Sequence, residues 1–210
     1  MTAKEEDILT NTNYIQKGIV LDKLLESLIV SKINYNDLIV GDKNALLIAA
    51  RVLGYGAEYK FTYRGEEKTI DLSTLENKEF DESLITKGKN EFNFILPHSK
   101  TSLTYKLLTH SDEKSIEKEI QGLKKINKDA NPESTTRLKY IITSVDSDRE
   151  KKTIREFVDT YLLARDSRSL REEIKKIAPD VELIYWNDGD VEEGINIPVD
   201  ISFFWPDAGI

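Results

Sequence analysis

Three acidic side chains alternate at Asp146, Asp148 and Glu150, and Asp188 and Asp190 flank Gly189. Carboxylates so spaced can hold a hard divalent cation and, with metal bound, activate water for hydrolysis. Neither segment has the form of a calcium loop, which needs about twelve residues with a glycine at the sixth and a glutamate at the twelfth. Aspartate, asparagine and glycine are also turn formers, and turn chemistry accounts for both segments. A metal-dependent hydrolase therefore stands as the reading of another class, because its ligands would have to converge from several elements. The histidines are His98, in a turn beside Pro97, and His110, just before a helix start that it can cap. Neither falls in a Ser/His/Asp arrangement. Gly54-Tyr55-Gly56 lacks the third glycine of a dinucleotide loop, since Tyr59 stands there, and it follows a helix rather than a strand. With no cysteine in the chain, disulfides, thiolate zinc sites, iron–sulfur clusters and thiol nucleophiles are excluded. No catalytic residue, cofactor or metal site is expected.

Two other groups suit contact with a protein partner. Arg165, Arg168 and Arg171 fall on one predicted helix, and Arg168 and Arg171, three apart, share a face. Their planar forks serve interfaces well, while ion pairing with Asp166, Glu172 or Glu173 is the plainer account. Tyr185-Trp186 and Phe203-Phe204-Trp205-Pro206 concentrate aromatics and hold both tryptophans. On a strand, Phe204 must point opposite to Phe203 and Trp205, so one face needs cover from helices or from a partner. The candidate partner-binding residues are thus Phe204, Trp205, Arg165, Arg168 and Arg171.

The elements that position these residues can be read along the chain. Its 210 residues include 39% hydrophobic and 9% aromatic side chains, enough for a folded core. Residues 1–13 read as a flexible arm. Helices are predicted from Val20 to Ser31, from about Asp42 as cap to Gly54 and Gly56, and from Ser111 to Asn127. Further helices are predicted at 134–145, 149–163 and 166–178, the last capped by Asp166 and stopped before Pro179. Alternating polarity predicts strands at 58–63 and 68–72 around Arg64-Gly65-Glu66-Glu67, and at 91–96 and 103–108 around Pro97-His98-Ser99-Lys100. Two strands, 181–186 and 195–204, close the chain. The class is α+β: antiparallel hairpins with a mainly helical C-terminal half closed by a terminal hairpin. Residues 14–210 form a single domain, divisible into lobes 14–110 and 133–210 joined by helix 111–127 and a polar hinge at 128–132.

Net charge is −8, from 30 basic and 38 acidic residues, which argues against general nucleic-acid binding. A polar, acidic start and the lack of any apolar run near the roughly 20 residues of a spanning helix predict an aqueous, reducing compartment and no membrane partner.

Five ordered segments then matter together: Val40-Gly41-Asp42-Lys43-Asn44-Ala45-Leu46-Leu47-Ile48-Ala49-Ala50-Arg51, Gly54-Tyr55-Gly56-Ala57-Glu58-Tyr59, Thr136-Arg137-Leu138-Lys139-Tyr140, Ala164-Arg165-Asp166-Ser167-Arg168-Ser169-Leu170-Arg171 and Ser202-Phe203-Phe204-Trp205-Pro206-Asp207. In this order the chain resembles the T4-type baseplate hub protein family of contractile-tailed phages, over about residues 17–207. The resemblance implies a non-enzymatic protein of the tail baseplate hub, or a tail-assembly chaperone absent from the mature virion. It would dock onto hub or tape-measure subunits, in the host cytoplasm during assembly and in the tail baseplate if incorporated; self-association stays open. Members of the family carry Cys-x-x-Cys at two hairpin tips, which suggests a shared zinc. Here the corresponding tips, Arg64-Gly65-Glu66-Glu67 and the Asn187-Asp188-Gly189-Asp190 region, lack cysteine, so the metal does not carry over. If the tips pair in space, plain hairpin contacts must join them.

Overall fold

The computed structural model describes residues 1–127, 131–186 and 194–204. The chain forms two compact units: residues 1–35, 41–78 and 180–210 in the first, and 36–40 and 79–179 in the second. The class is α+β, with small antiparallel sheets.

The first unit begins with α1 (Ala3–Leu9), α2 (Thr12–Gln16) and α3 (Val20–Leu28). The stretch read as a flexible arm is thus helical. Glu5 Oε2 accepts from the backbone N–H and hydroxyl of Thr2 (2.8 and 2.7 Å), which ties the first turn. Leu9 is buried with Leu24 and Leu25 of α3, and that burial holds so short a helix in place. Helix α4 (Val40–Tyr55) starts earlier and runs further than expected, so Asp42 lies inside its first turn and Gly54 inside its last. Gly56, at φ +86°, ends it. Leu47 and Ala50 are buried, whereas Leu53, placed on the same apolar face by its spacing, is exposed. The hairpin of β1 (Glu58–Tyr63) and β2 (Glu66–Asp71) turns on two residues rather than four. Both Arg64 and Gly65 have positive φ, the geometry whose twist matches the flanking strands. Tyr59 and Phe61 point inward, and the intervening residues face solvent.

The second unit holds the sheet β3 (Phe92–Ile95), β4 (Ser102–Tyr105) and β5 (Ile142–Val145), in that spatial order. Helix α5 (His110–Ile126) follows β4, and α6 (Glu133–Ile141) runs directly into β5. His110 is the first residue of α5; the cap is Thr109, joined to Asp112. The predicted helix over 134–145 therefore stops early. Ile142, Thr143 and Val145 are β-branched, and pairing of Ile142, Ser144 and Val145 with β4 favours a strand where another helical turn would crowd the branched side chains. Helix α7 (Lys151–Glu156) begins after a tight turn at Asp146 and Ser147 and continues as a wider turn over Phe157–Tyr161. There the Leu162 N–H reaches the Phe157 carbonyl at 2.8 Å, five residues back. Helix α8 (Ala164–Ile177) packs its buried side on a core that includes Leu103, Tyr105, Leu138, Ile142, Phe157 and Leu170.

The chain then returns to the first unit with β6 (Ile184–Trp186), β7 (Gly194–Asn196) and α9 (Ile201–Phe204). The strand expected over 195–204 ends after Asn196. Pro198 has no N–H to give a ladder, and Asp200 Oδ1 accepts from the Ser202 N–H at 2.7 Å, which starts a helical turn. The units also differ from lobes 14–110 and 133–210, because segments from both ends of the chain share one core. Of the predicted hinge, residues 128–130 lie outside the described residues. No described helix is long and apolar enough to cross a membrane.

Candidate functional site

Phe204, expected to face a partner, is fully buried. The helical turn of α9 sends both Phe203 and Phe204 inward, where a strand would have separated them. Their rings meet edge to face at 5.4 Å, and Phe203 meets Tyr59 of β1 at 4.8 Å. Trp205 lies outside the described residues. Phe61 of β1 contacts Tyr185 of β6 at 5.6 Å with rings at 81°. The two hairpins are thus joined by an aromatic contact, although residues 187–193 at the second tip lie outside the described residues.

Arg51 sits on the buried side of α4, four residues after Leu47, and is 2% exposed. Its guanidinium donates to the carbonyls of Gly56 (2.6 Å) and Glu58 (2.9 Å), and it lies 5.6 and 6.0 Å from the rings of Tyr55 and Tyr59. Burial pulls its pKa below the ordinary value. It ties the end of α4 to the start of β1. The signal was an arginine at a core spacing, which sequence reasoning left unused.

The arginines of α8 lie on its exposed side. Arg168 pairs with Glu172 at 2.9 Å, and Arg171 donates to the Ser134 hydroxyl at 3.1 Å. Asp166 is not the cap. It is fully buried at the third helical position and accepts from the backbone N–H groups of His98 and Ser99, both at 2.9 Å. Burial pushes the carboxyl up, but those donors outweigh it and hold the carboxyl below its ordinary value. His98 thus contributes its backbone, and the β3–β4 turn is anchored to α8.

A cleft of about 390 Å³ opens in the second unit, lined by Lys106, Asp112, Lys139, Arg149, Lys151 and Arg155 among others. Its charges are largely matched. Arg155 grips Glu119 with both terminal nitrogens (2.7 and 2.6 Å), and the Tyr140 hydroxyl also donates to Glu119. Arg149 grips Glu91 in the same way at 2.7 and 3.1 Å. Lys106 pairs with Asp112 at 2.8 Å and Lys139 with Asp159 at 2.7 Å. Arg155 holds Glu119 below the usual carboxylate range against the upward push of burial, and Arg149 does the same for Glu91. A general base needs a lone pair ready to take a proton at the working pH. These carboxylates spend their lone pairs on guanidinium N–H donors, and the lowered pKa makes them weak bases; the Glu119 cluster joins α5, α6 and α7.

The alternating acids are also engaged in folding. Asp146 Oδ1 accepts from the Ser102 N–H at 2.9 Å, while Asp148 accepts from the Glu150 N–H and the Thr153 hydroxyl, both at 2.8 Å. Among the described residues, no three His, Cys, Asp or Glu side chains form a metal-holding group. Asp188 and Asp190 lie outside those residues. Comparison of the chain with family models, with curated proteins and with solved structures finds no match.

Proposed function

We propose that this protein is a non-enzymatic component of the baseplate hub of a T4-type contractile phage tail, working by docking onto other hub or tape-measure proteins. The observation that supports it is where the segments carrying the resemblance fall. Arg51, Thr136, Asp166, Phe203 and Phe204 belong to those segments, and all are buried. Three of them make joints between elements: Arg51 closes α4 onto β1, Asp166 holds the β3–β4 turn on α8, and Phe203 packs on β1. The segments that carry the likeness thus include several joints of the fold, alongside the exposed arginines of α8. A docking role also suits a molecule whose polar cleft has most of its charges matched by its own ion pairs.

The test is capture of baseplate hub and tape-measure proteins of a T4-type contractile phage tail, using the whole chain as bait. Failure to capture any of them removes the reading. A mass-spectrometric inventory of mature particles then separates a resident subunit from an assembly factor that departs: presence in particles identifies the former, absence together with capture the latter.

A further inference from the structure

Helix α8 divides its residues sharply. Asp166, Ser167, Leu170 and Ile177 are buried, while Arg165, Arg168, Arg171, Lys175 and Lys176 are exposed. Two carboxylates accompany the cations: exposed Glu172 pairs with Arg168 at 2.9 Å, and Glu173 pairs with Lys176 at 3.0 Å. Both are pairs within one helical turn; the Arg168–Glu172 pair is solvent-exposed and costs little to exchange for another acceptor, while Glu173 is largely covered and leaves Lys176 the more exposed partner. Arg171 touches a neutral hydroxyl, and Arg165 and Lys175 make no ion pair among the described residues. On the side of this helix away from its buried Asp166, five cations thus stand against two carboxylates, in a chain whose net charge is −8. Immediately before this helix, Tyr161 is 60% exposed and Leu163 51% exposed. The wide turn at 157–161 buries Phe157 and Val158 and leaves Tyr161 outside. An exposed tyrosine and several arginines close together along the chain have the composition of a binding centre, and Leu163 adds apolar area between them.

We infer that the outer face of α8, with Tyr161 and Leu163, is a docking surface for an acidic protein surface that also presents apolar side chains. The inference rests on the docking reading above and specifies the partner's chemistry. Charge complementarity selects the partner: the face is cationic, and its arginine forks suit carboxylates. Interleaved glutamates and an acidic chain disfavour a phosphate backbone, which needs an uninterrupted basic track. The same net charge repels a second copy at long range.

The probe is a fluorescent amphipathic helical peptide bearing glutamate on one face and leucine and phenylalanine beside it, titrated against the whole chain. Binding should weaken about tenfold or more in the variant R165E/R168E/R171E, and also as salt is raised. Circular dichroism should show the variant folded; if the reversal disturbs folding, R165A/R168A/R171A takes its place, with a loss in the same direction. No binding, equal binding by wild type and variant, tighter binding of a single-stranded DNA oligomer of equal charge, or self-association that displaces the peptide would each overturn the inference. Hub capture separates this result from the function itself. If wild type and the reversed variant capture hub proteins equally, the α8 surface is wrong and the docking function stands. If neither captures them, the function falls and the peptide titration alone judges the surface.

Discussion

Helix α9 and the outer face of α8 both carry residue types suited to a partner, phenylalanines in the one and arginines in the other. Their surroundings separate them. In α9, Phe203 and Phe204 leave the backbone on the same side of a short helical turn and are fully enclosed with Tyr59. In α8, burial of Leu170 and Asp166 on one side leaves Arg165, Arg168 and Arg171 on the other. Aromatic area is a strong signal for either a core or an interface, whereas a guanidinium is costly to bury unless acceptors await it, as the Gly56 and Glu58 carbonyls do for Arg51, and otherwise stays in water. The lesson is that residue type names the two options, and the segment packed alongside chooses between them.

The largest expected effect breaks the comparison from the α9 side. Phe204→Ala should destabilise the protein by about 3–5 kcal/mol, read from chemical denaturation, because it empties a fully enclosed site. A variant of unchanged stability would return Phe204 to the surface. Next comes the buried side of α8. Asp166→Ala leaves the His98 and Ser99 N–H groups without their acceptor and should cost about 2–3 kcal/mol. Glu119→Ala, in the cleft, frees the partly exposed Arg155 fork and should cost about 1 kcal/mol after solvent screening.

Acid should loosen the start of the first unit by a smaller amount. Hydrogen bonds from Thr2 and Ser27 hold the Glu5 carboxyl down at about 2. Because its folded value lies below its unfolded one, the stabilisation is complete above the ordinary glutamate range, near 4.5, and is lost as pH falls toward 2. Thermal melts across this window should show a drop that Glu5→Gln reduces. The smallest stability effect belongs to the outer face of α8. Arg165→Ala, Arg168→Ala and Arg171→Ala should each shift stability by less than about 0.5 kcal/mol while impairing capture of hub proteins. A large stability loss there would make these arginines structural and erase the contrast with α9.

Local patterns were legible where the physics is local. The stripe of α3, the place of the first hairpin turn at Arg64-Gly65 though not its two-residue length, and the two-sided character of α8 follow from spacing within a few residues. The candidate site was legible only in part. The arginines do lie exposed, but nothing near Phe204 in the chain announces that Tyr59 waits for Phe203 across more than half the sequence. The β-branched run at Ile142 became a strand because β4 offered a partner, and the helix before it kept its own pattern up to Ile141.

Taken by itself, the order of amino acids determined the α+β class, the cationic side of α8, and the impossibility of cysteine-based chemistry. Periodicity, turn formers and functional-group inventory need no knowledge of distant segments. Only the tertiary structure decided that residues 1–35 and 180–204 share a unit, that Asp166 anchors a turn rather than caps a helix, and that Phe204 is core. Burial and pairing are properties of whatever lies opposite in space, and loop closure brings those groups together at an entropic cost that depends only weakly on their separation along the chain.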